Sequence, residues 1–174
     1  MSPQRNVLVN EVNSCEPGKL LEIGIGDGVY LPLYKGHKVI GVDISEAMIA
    51  KAKRFESNDV SLMLMNAEDL SFHDNHFDYV VMSHSIAVTE NPDRLIEEAY
   101  RVLKSGGKLF ILNHFTPDNA LRYGDNLFKP IARLLHFRSS FYQKDIKGLD
   151  QFSLLKQSEL GFGSYYKLLI FSKP

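Results

Sequence analysis

Residues 20–34 read LLEIGIGDGVYLPLY, and the rest of the chain can be read outward from them. A short apolar run is followed at once by Gly24, Gly26 and Gly28, with Glu22 just before the glycines and Asp27 among them. Glycines placed immediately after a strand let the backbone turn tightly and let a ligand approach without a Cβ in the way. The spacing is GxGxG. The dinucleotide fingerprint GxGxxG is not met, because Val29 stands where its third glycine would fall, so a nicotinamide cofactor drops in rank.

On either side, apolar runs and helical patterns alternate. KLLEIGI (19–25), KVIGVDI (38–44), FDYVVMSHS (77–85) and GKLFILNHF (107–115) read as strands, with SLMLMNA (61–67) as a weaker one. Their apolarity is continuous, as expected of parallel strands covered on both faces. SEAMIAKAKRF begins with Ser45 as an N-cap, and NPDRLIEEAYRVLKSGG begins near Asn91 with Gly106 and Gly107 as its stop. Helices are also expected from about Asp118 to Phe137 and near Gln143 to Leu149. FSLLKQSEL and YYKLLIFSK then close the chain as an antiparallel hairpin at the sheet edge. The predicted fold is α/β: a doubly wound, mostly parallel, Rossmann-like sheet of seven strands, the last antiparallel, with helices on both faces. Its ligand belongs outside the carboxyl ends of the strands.

With 174 residues and no repeat or linker, the expectation is one domain over residues 1–174. A hydrophobic share of 44%, a charged share of 24% and a net charge of −1 give no global signal for nucleic acid. No signal-type apolar core or membrane-length run is present, and Cys15 is alone, so a cytoplasmic setting is expected.

Glu22 sits inside a strand, where a carboxylate is costly unless hydrogen-bonded or facing a cation. Asp43 ends the second strand, where doubly wound nucleoside sites grip the ribose hydroxyls. Together they describe a nucleoside without pyrophosphate that carries positive charge, as S-adenosylmethionine does. LEIGIGDGVYLPLY, GVDISEAMIAKAK, NAEDLSF, HFDYVVMSHSI and AYRVLKSGGKLFILNHF resemble, in order, the motifs of class I S-adenosylmethionine-dependent methyltransferases over roughly residues 18–115. The resemblance implies that Glu22, Gly24, Gly26 and Gly28 line the methionine and ribose part. It implies further that Asp43 holds the ribose hydroxyls, Ile44 and Met48 flank adenine, Asn66, Ala67 and Glu68 border its edge, and Ser83 lies beside the methionine. The family often has Asp where Asn66 stands, which implies weaker cofactor binding. Spent cofactor would leave as S-adenosylhomocysteine.

Within the class, LPLY, NHF and the basic, leucine-rich segment that follows look most like bacterial phosphatidylethanolamine N-methyltransferases, although residues 1–18 make a shorter leading segment than those enzymes carry. The implied acceptor is the amine of that lipid or a similar amphiphile. A quinone precursor or soluble metabolite, methylated on C, O or N, is the alternative, and a non-catalytic cofactor-binding module acting through a partner is another. Methyl transfer needs alignment, exclusion of water and a deprotonated nucleophile. His114, at the end of the fifth strand, is the first candidate for the proton, followed by His84, Tyr30 and Tyr34. No carboxylate cluster in the later strands suggests a metal, and MSHS stands where an exocyclic-amine enzyme acting on DNA would carry an Asn/Asp-Pro-Pro-aromatic motif. Residues 116–150 are expected to form a helical lid. Within them, 120–144 combine leucines with arginines and lysines as a peripheral membrane-contact helix does. The two roles are compatible, and the oligomeric state is left open.

Overall fold

The apolar runs of the central strands have to be covered from both sides, and the two faces of the sheet carry two separate cores. The computed structural model describes residues 3–86, 89–114, 146–160 and 166–174. Its helices are α1 (Pro3–Asn13), α2 (Glu46–Ala52) and α3 (Pro92–Val102). Its strands are β1 (Lys19–Ile23), β2 (Lys38–Asp43), β3 (Val60–Leu64), β4 (Phe77–Ser83), β5 (Leu103–His114), β6 (Ser153–Leu160) and β7 (Tyr166–Ser172). Alternate residues of each strand point to opposite faces. Leu21, Ile23, Val80, Met82, Leu109 and Ile111 therefore pack with Leu95, Ile96, Ala99 and Val102 of α3. Leu20, Val39, Val81, Phe110 and Leu112 pack instead with Leu8, Val9 and Val12 of α1 and with Ala52 of α2.

The strands run in the order β3-β2-β1-β4-β5-β7-β6. β1 to β5 are mutually parallel, and β7 lies antiparallel between β5 and β6. The expected terminal hairpin is present with β6 on the outer edge. The chain builds outward from β1 to β3 and then returns to place β4 on the other side of β1, so the direction of winding reverses between β1 and β4. A crevice at the carboxyl ends of those two strands is the place where such sheets bind ligands.

Two elements differ from the sequence expectation. α1 has no counterpart in it: the helix buries Leu8, Val9 and Val12 on the sheet, although β-branched valines at positions 7, 9 and 12 give a weak helical signal. α3 ends at Val102 instead of running to Gly106, because Leu103 is fully buried and already extended opposite Phe77. The carbonyls of Arg101 and Val102 are taken by the N–H groups of Asn75 and His76, at 3.0 and 2.8 Å. The expected helix 118–137 lies outside the described residues, as do residues 143–145 of the expected helix 143–149; residues 146–149 are not α-helical, because Gly148 takes a left-handed φ of +86° that breaks a helix. Leu149–Gln151, beside its end, is a 3-10 turn. Among the described residues no helix is long and apolar enough to cross a membrane.

α3 is tied to the loop before β4 by one ion-pair network. The guanidinium of Arg101 donates to both carboxylate oxygens of buried Glu98 (2.9 and 2.8 Å) and to the carbonyls of Leu70 and Phe72 (both 2.7 Å). Glu98 also accepts the N–H of Leu70 at 2.8 Å, and these donors hold its carboxyl below the usual range. Removing one partner of such a pair strands the other as a buried charge. Arg101→Leu is therefore expected to lose about 2–4 kcal/mol in urea unfolding at pH 7. Glu98 titrates lower in the folded chain than in the unfolded one, so its stabilisation holds above the ordinary carboxylate range and fades as pH falls through the folded value. The gap between variant and wild type should narrow accordingly in acid; a loss under about 0.5 kcal/mol at pH 7 would contradict the network's role.

Candidate active site

The three glycines after β1 do three different things. A Cβ on Gly24 would stand 2.8 Å from that of Ser85, and one on Gly28 would stand 2.8 Å from that of Ala52, so both positions are kept small by packing. Gly26 has a φ of +55°, and a Cβ there would meet nothing within 4 Å. Of the three, it is the one whose bareness leaves open space above the loop.

That space is held open by Asp43. One of its carboxylate oxygens accepts the N–H of Gly26 at 2.8 Å and the other accepts the N–H of Ser45 at 2.9 Å. Ser45 caps α2 by accepting the N–H of Met48 at 3.4 Å. The end of β2 thus fixes both the glycine loop and the start of the next helix, and each oxygen keeps a lone pair for a further donor. Beyond β3, the Asn66 side-chain oxygen accepts the N–H of Glu68 at 2.9 Å. Glu68 in turn accepts the hydroxyl of Thr89 and, at 2.9 Å, the N–H of Asn91. Those two donors lower its pKa.

These elements enclose a cavity of about 560 Å³ whose walls include Gly24, Gly26, Asp43, Ile44, Met48, Asn66, Ala67, Glu68, Ser83 and His84. The donor set fits a nucleoside: a carboxylate for vicinal hydroxyls, an exposed glycine backbone beside it, and apolar side chains of Ile44, Met48, Met65 and Leu95 for a flat ring. Among the described residues no group of three or more His, Cys, Asp or Glu is arranged to hold a metal ion.

A second cluster adjoins the cavity. The Ser83 hydroxyl donates to the Tyr30 hydroxyl at 3.2 Å. His84 has a φ of +62°, uncommon for a residue with a side chain, and its ring meets that of Tyr166 at 5.8 Å; the ring of His114 also meets Tyr166, at 5.5 Å. Burial, with smaller contributions from Arg5 and His114, lowers the pKa of His84, so its imidazole is neutral at neutral pH. Burial raises both Tyr30 and Tyr34, which keeps those hydroxyls protonated.

Of the residues picked out by sequence, the cavity gathers Gly24, Gly26, Asp43, Ile44, Met48, Asn66, Ala67, Glu68, Ser83 and His84. Glu22, Gly28, Tyr30, Tyr34 and His114 are not in its wall. Glu22 is 1% exposed and projects toward the α1 face, where burial pushes its pKa up to about 8 against the weaker opposing pull of Tyr34 and Arg5. Tyr34 lies with it, 6% exposed, its buried hydroxyl facing the Glu22 carboxyl. Ser85, Thr89, Glu90 and Met65 line the cavity without having been singled out for it. Only the run of small polar residues after β4 hints at Ser85 and Thr89.

A family model described as a methyltransferase domain matches residues 21–111. The chain is 31% identical to a phosphatidylethanolamine N-methyltransferase of Cereibacter sphaeroides, over 99% of this chain and 87% of that protein. It is 30% identical to a demethylmenaquinone methyltransferase of Bacteroides fragilis, over 91% of this chain and 73% of that protein. The crystal structure of a methyltransferase-fold protein from Bacillus halodurans superposes with a TM-score of 0.82 at 18% identity, covering 99% of this chain and all of that one, which confirms the fold. The chain belongs to the methyltransferase-domain family, and it is a class I methyltransferase whose methyl donor is S-adenosylmethionine.

Proposed function

We propose that this methyltransferase N-methylates the amine of phosphatidylethanolamine or a similar amphiphile. The observation that carries this reading is the similarity to a phosphatidylethanolamine N-methyltransferase along nearly the whole chain. Residues 1–174 act as one methyltransferase domain; of the expected lid 116–150, residues 116–145, with the whole expected membrane-contact stretch 120–144, lie outside the described residues. A C-methyltransferase acting on a quinone precursor is the second reading, favoured by the similarity to a demethylmenaquinone methyltransferase.

The cofactor supplies a methyl group activated on its sulfonium. Asp43 binds the ribose hydroxyls through the lone pairs left by Gly26 and Ser45, and Gly26 lets the sugar and methionine lie on bare backbone. Gly24 and Ser83 would lie beside the methionine, Ile44 and Met48 would flank adenine, and Asn66, Ala67 and Glu68 would border its edge. Glu68 clamps the segment 89–91 that forms the far wall. Glu22 and Gly28 support the loop from behind, the first as a buried, largely protonated acid and the second by admitting α2.

For the acceptor, His84 has the stronger claim to the proton than His114. His84 lines the cavity and is neutral, so it can take a proton from the ammonium and free the nitrogen lone pair that then attacks the methyl carbon, the sulfur keeping the electrons of the bond that breaks. His114 meets the same Tyr166 ring but is not in the cavity wall. Tyr30 orients Ser83 instead of carrying charge.

His84→Asn keeps a residue that tolerates positive φ and removes the base. It is expected to lower turnover on the order of 10²-fold while calorimetric affinity for S-adenosylhomocysteine stays within a few-fold. Unchanged turnover would remove His84 from the mechanism. For the acceptor itself, purified protein with methyl-labelled S-adenosylmethionine should label phosphatidylethanolamine vesicles. Label appearing only in demethylmenaquinone-loaded vesicles would support the second reading, and label only in a lipid-free cell extract would overturn both.

A further inference from the structure

Arg5 stands in the first turn of α1, half-buried, with its guanidinium carbon 4.8 Å from the centre of the Tyr30 ring. The hydroxyl of that ring is bonded to Ser83, and Ser83 and His84 form part of the cavity wall. The guanidinium is thus one aromatic ring away from the place where the methyl group must be delivered. Among the described residues no carboxylate lies within ion-pair distance of it.

Among the described residues, the groups around Arg5 supply little counter-charge at neutral pH. Glu22 of β1 is buried and mostly protonated at neutral pH, Tyr30 and Tyr34 from the segment after β1 keep their protons, and His84 beyond β4 is neutral. A guanidinium stacked on an aromatic ring is already oriented to accept a planar or tetrahedral oxyanion with its remaining N–H donors. Arg5 is not in the wall of the cofactor cavity but across Tyr30 from it, which points to the acceptor as the source of that anion.

We propose that Arg5, stacked on Tyr30, anchors the phosphate of the acceptor's headgroup and thereby sets its amine beside His84. The proposal rests on the reading of the acceptor as a phospholipid. It makes the site complementary to a zwitterion, with the fixed cation under the phosphate and the neutral imidazole beside the amine. Leu8, Val9 and Val12 hold α1 on the sheet independently of Arg5, so its replacement should spare the fold.

The test titrates glycerol 3-phosphate into protein loaded with S-adenosylhomocysteine, by calorimetry, for wild type, Arg5→Gln and Arg5→Lys, with thermal melts as a fold control. Wild type should bind, Arg5→Gln should weaken binding about tenfold or more, and Arg5→Lys should fall between. With phosphatidylethanolamine vesicles, Arg5→Gln should raise KM by a similar factor at nearly constant kcat and leave the affinity for S-adenosylhomocysteine unchanged. Absence of binding by wild type, or equal binding by Arg5→Gln, overturns the anchor. So does a loss of affinity for S-adenosylmethionine that is not seen with its decarboxylated analogue, since Arg5 would then be holding the cofactor's own carboxylate. If glycerol 3-phosphate binds through Arg5 but the lipid gains no methyl group, the anchor stands and the acceptor reading fails; if the lipid is methylated equally well by Arg5→Gln, the reverse holds.

Discussion

Asp43 joins three elements at one carboxylate, which takes the N–H of Gly26 on one oxygen and the N–H of Ser45 on the other, from the end of the strand next to β1, and so adds to the backbone bonds that Gly24 and Ile25 make to the carbonyl of Val42. The glycine loop cannot rise from the sheet while the first bond holds, and α2 cannot shift its first turn while the second does. Hydrogen bonds to an ionised acceptor are among the stronger ones available to a protein. The same carboxylate faces the cavity, so the group that builds the floor of the site also offers it an acceptor.

The rest of the site follows from the reversal of winding between β1 and β4. On one side of that crevice the ends of β2 and β3 provide a carboxylate and apolar walls. On the other, the ends of β4 and β5 and the start of β7 bring together Ser83, His84, His114 and Tyr166. Glu22, which acts on both Tyr30 and Tyr34, is buried deeply enough to favour its protonated form, and burial also keeps His84 neutral. Burial thus leaves His84, Tyr30 and Tyr34 uncharged on this side, with the guanidinium of Arg5 over the Tyr30 ring.

How much of this was legible in the sequence depends on what kind of signal each residue gives. The strands were legible because parallel strands buried on both faces are continuous apolar runs, and the sheet class followed from their alternation with helices. The cofactor side was legible because it is built from local motifs: a loop directly after β1, an acid ending β2, a turn after β3. α1 was not, since Val7, Val9 and Val12 carry little helical preference and the helix is held by packing on Phe110, Leu112 and their neighbours, which are distant in sequence. Neither was the division of labour among the glycines, which depends on Ser85 and Ala52 lying opposite Gly24 and Gly28. The direction in which Glu22 points depends on strand phase, and a shift of one residue would have put it in the cavity. That His84 would line the cavity was not legible either, because a left-handed turn at a histidine leaves no mark in the sequence.

The central claim is that the open space above Gly26 is where the cofactor lies, and a single methyl group tests it. Gly26→Ala adds a Cβ that meets no protein atom within 4 Å, at a backbone cost of about 1–2 kcal/mol for the positive φ. Calorimetric titration of S-adenosylmethionine into the folded variant, beside wild type, measures whether that methyl group meets ligand instead. The account predicts one-to-one binding by wild type and at least about a tenfold loss in the variant, with only the small backbone cost seen in its unfolding. Wild-type affinity in Gly26→Ala would contradict it, because the cofactor would then not be resting on the glycine loop.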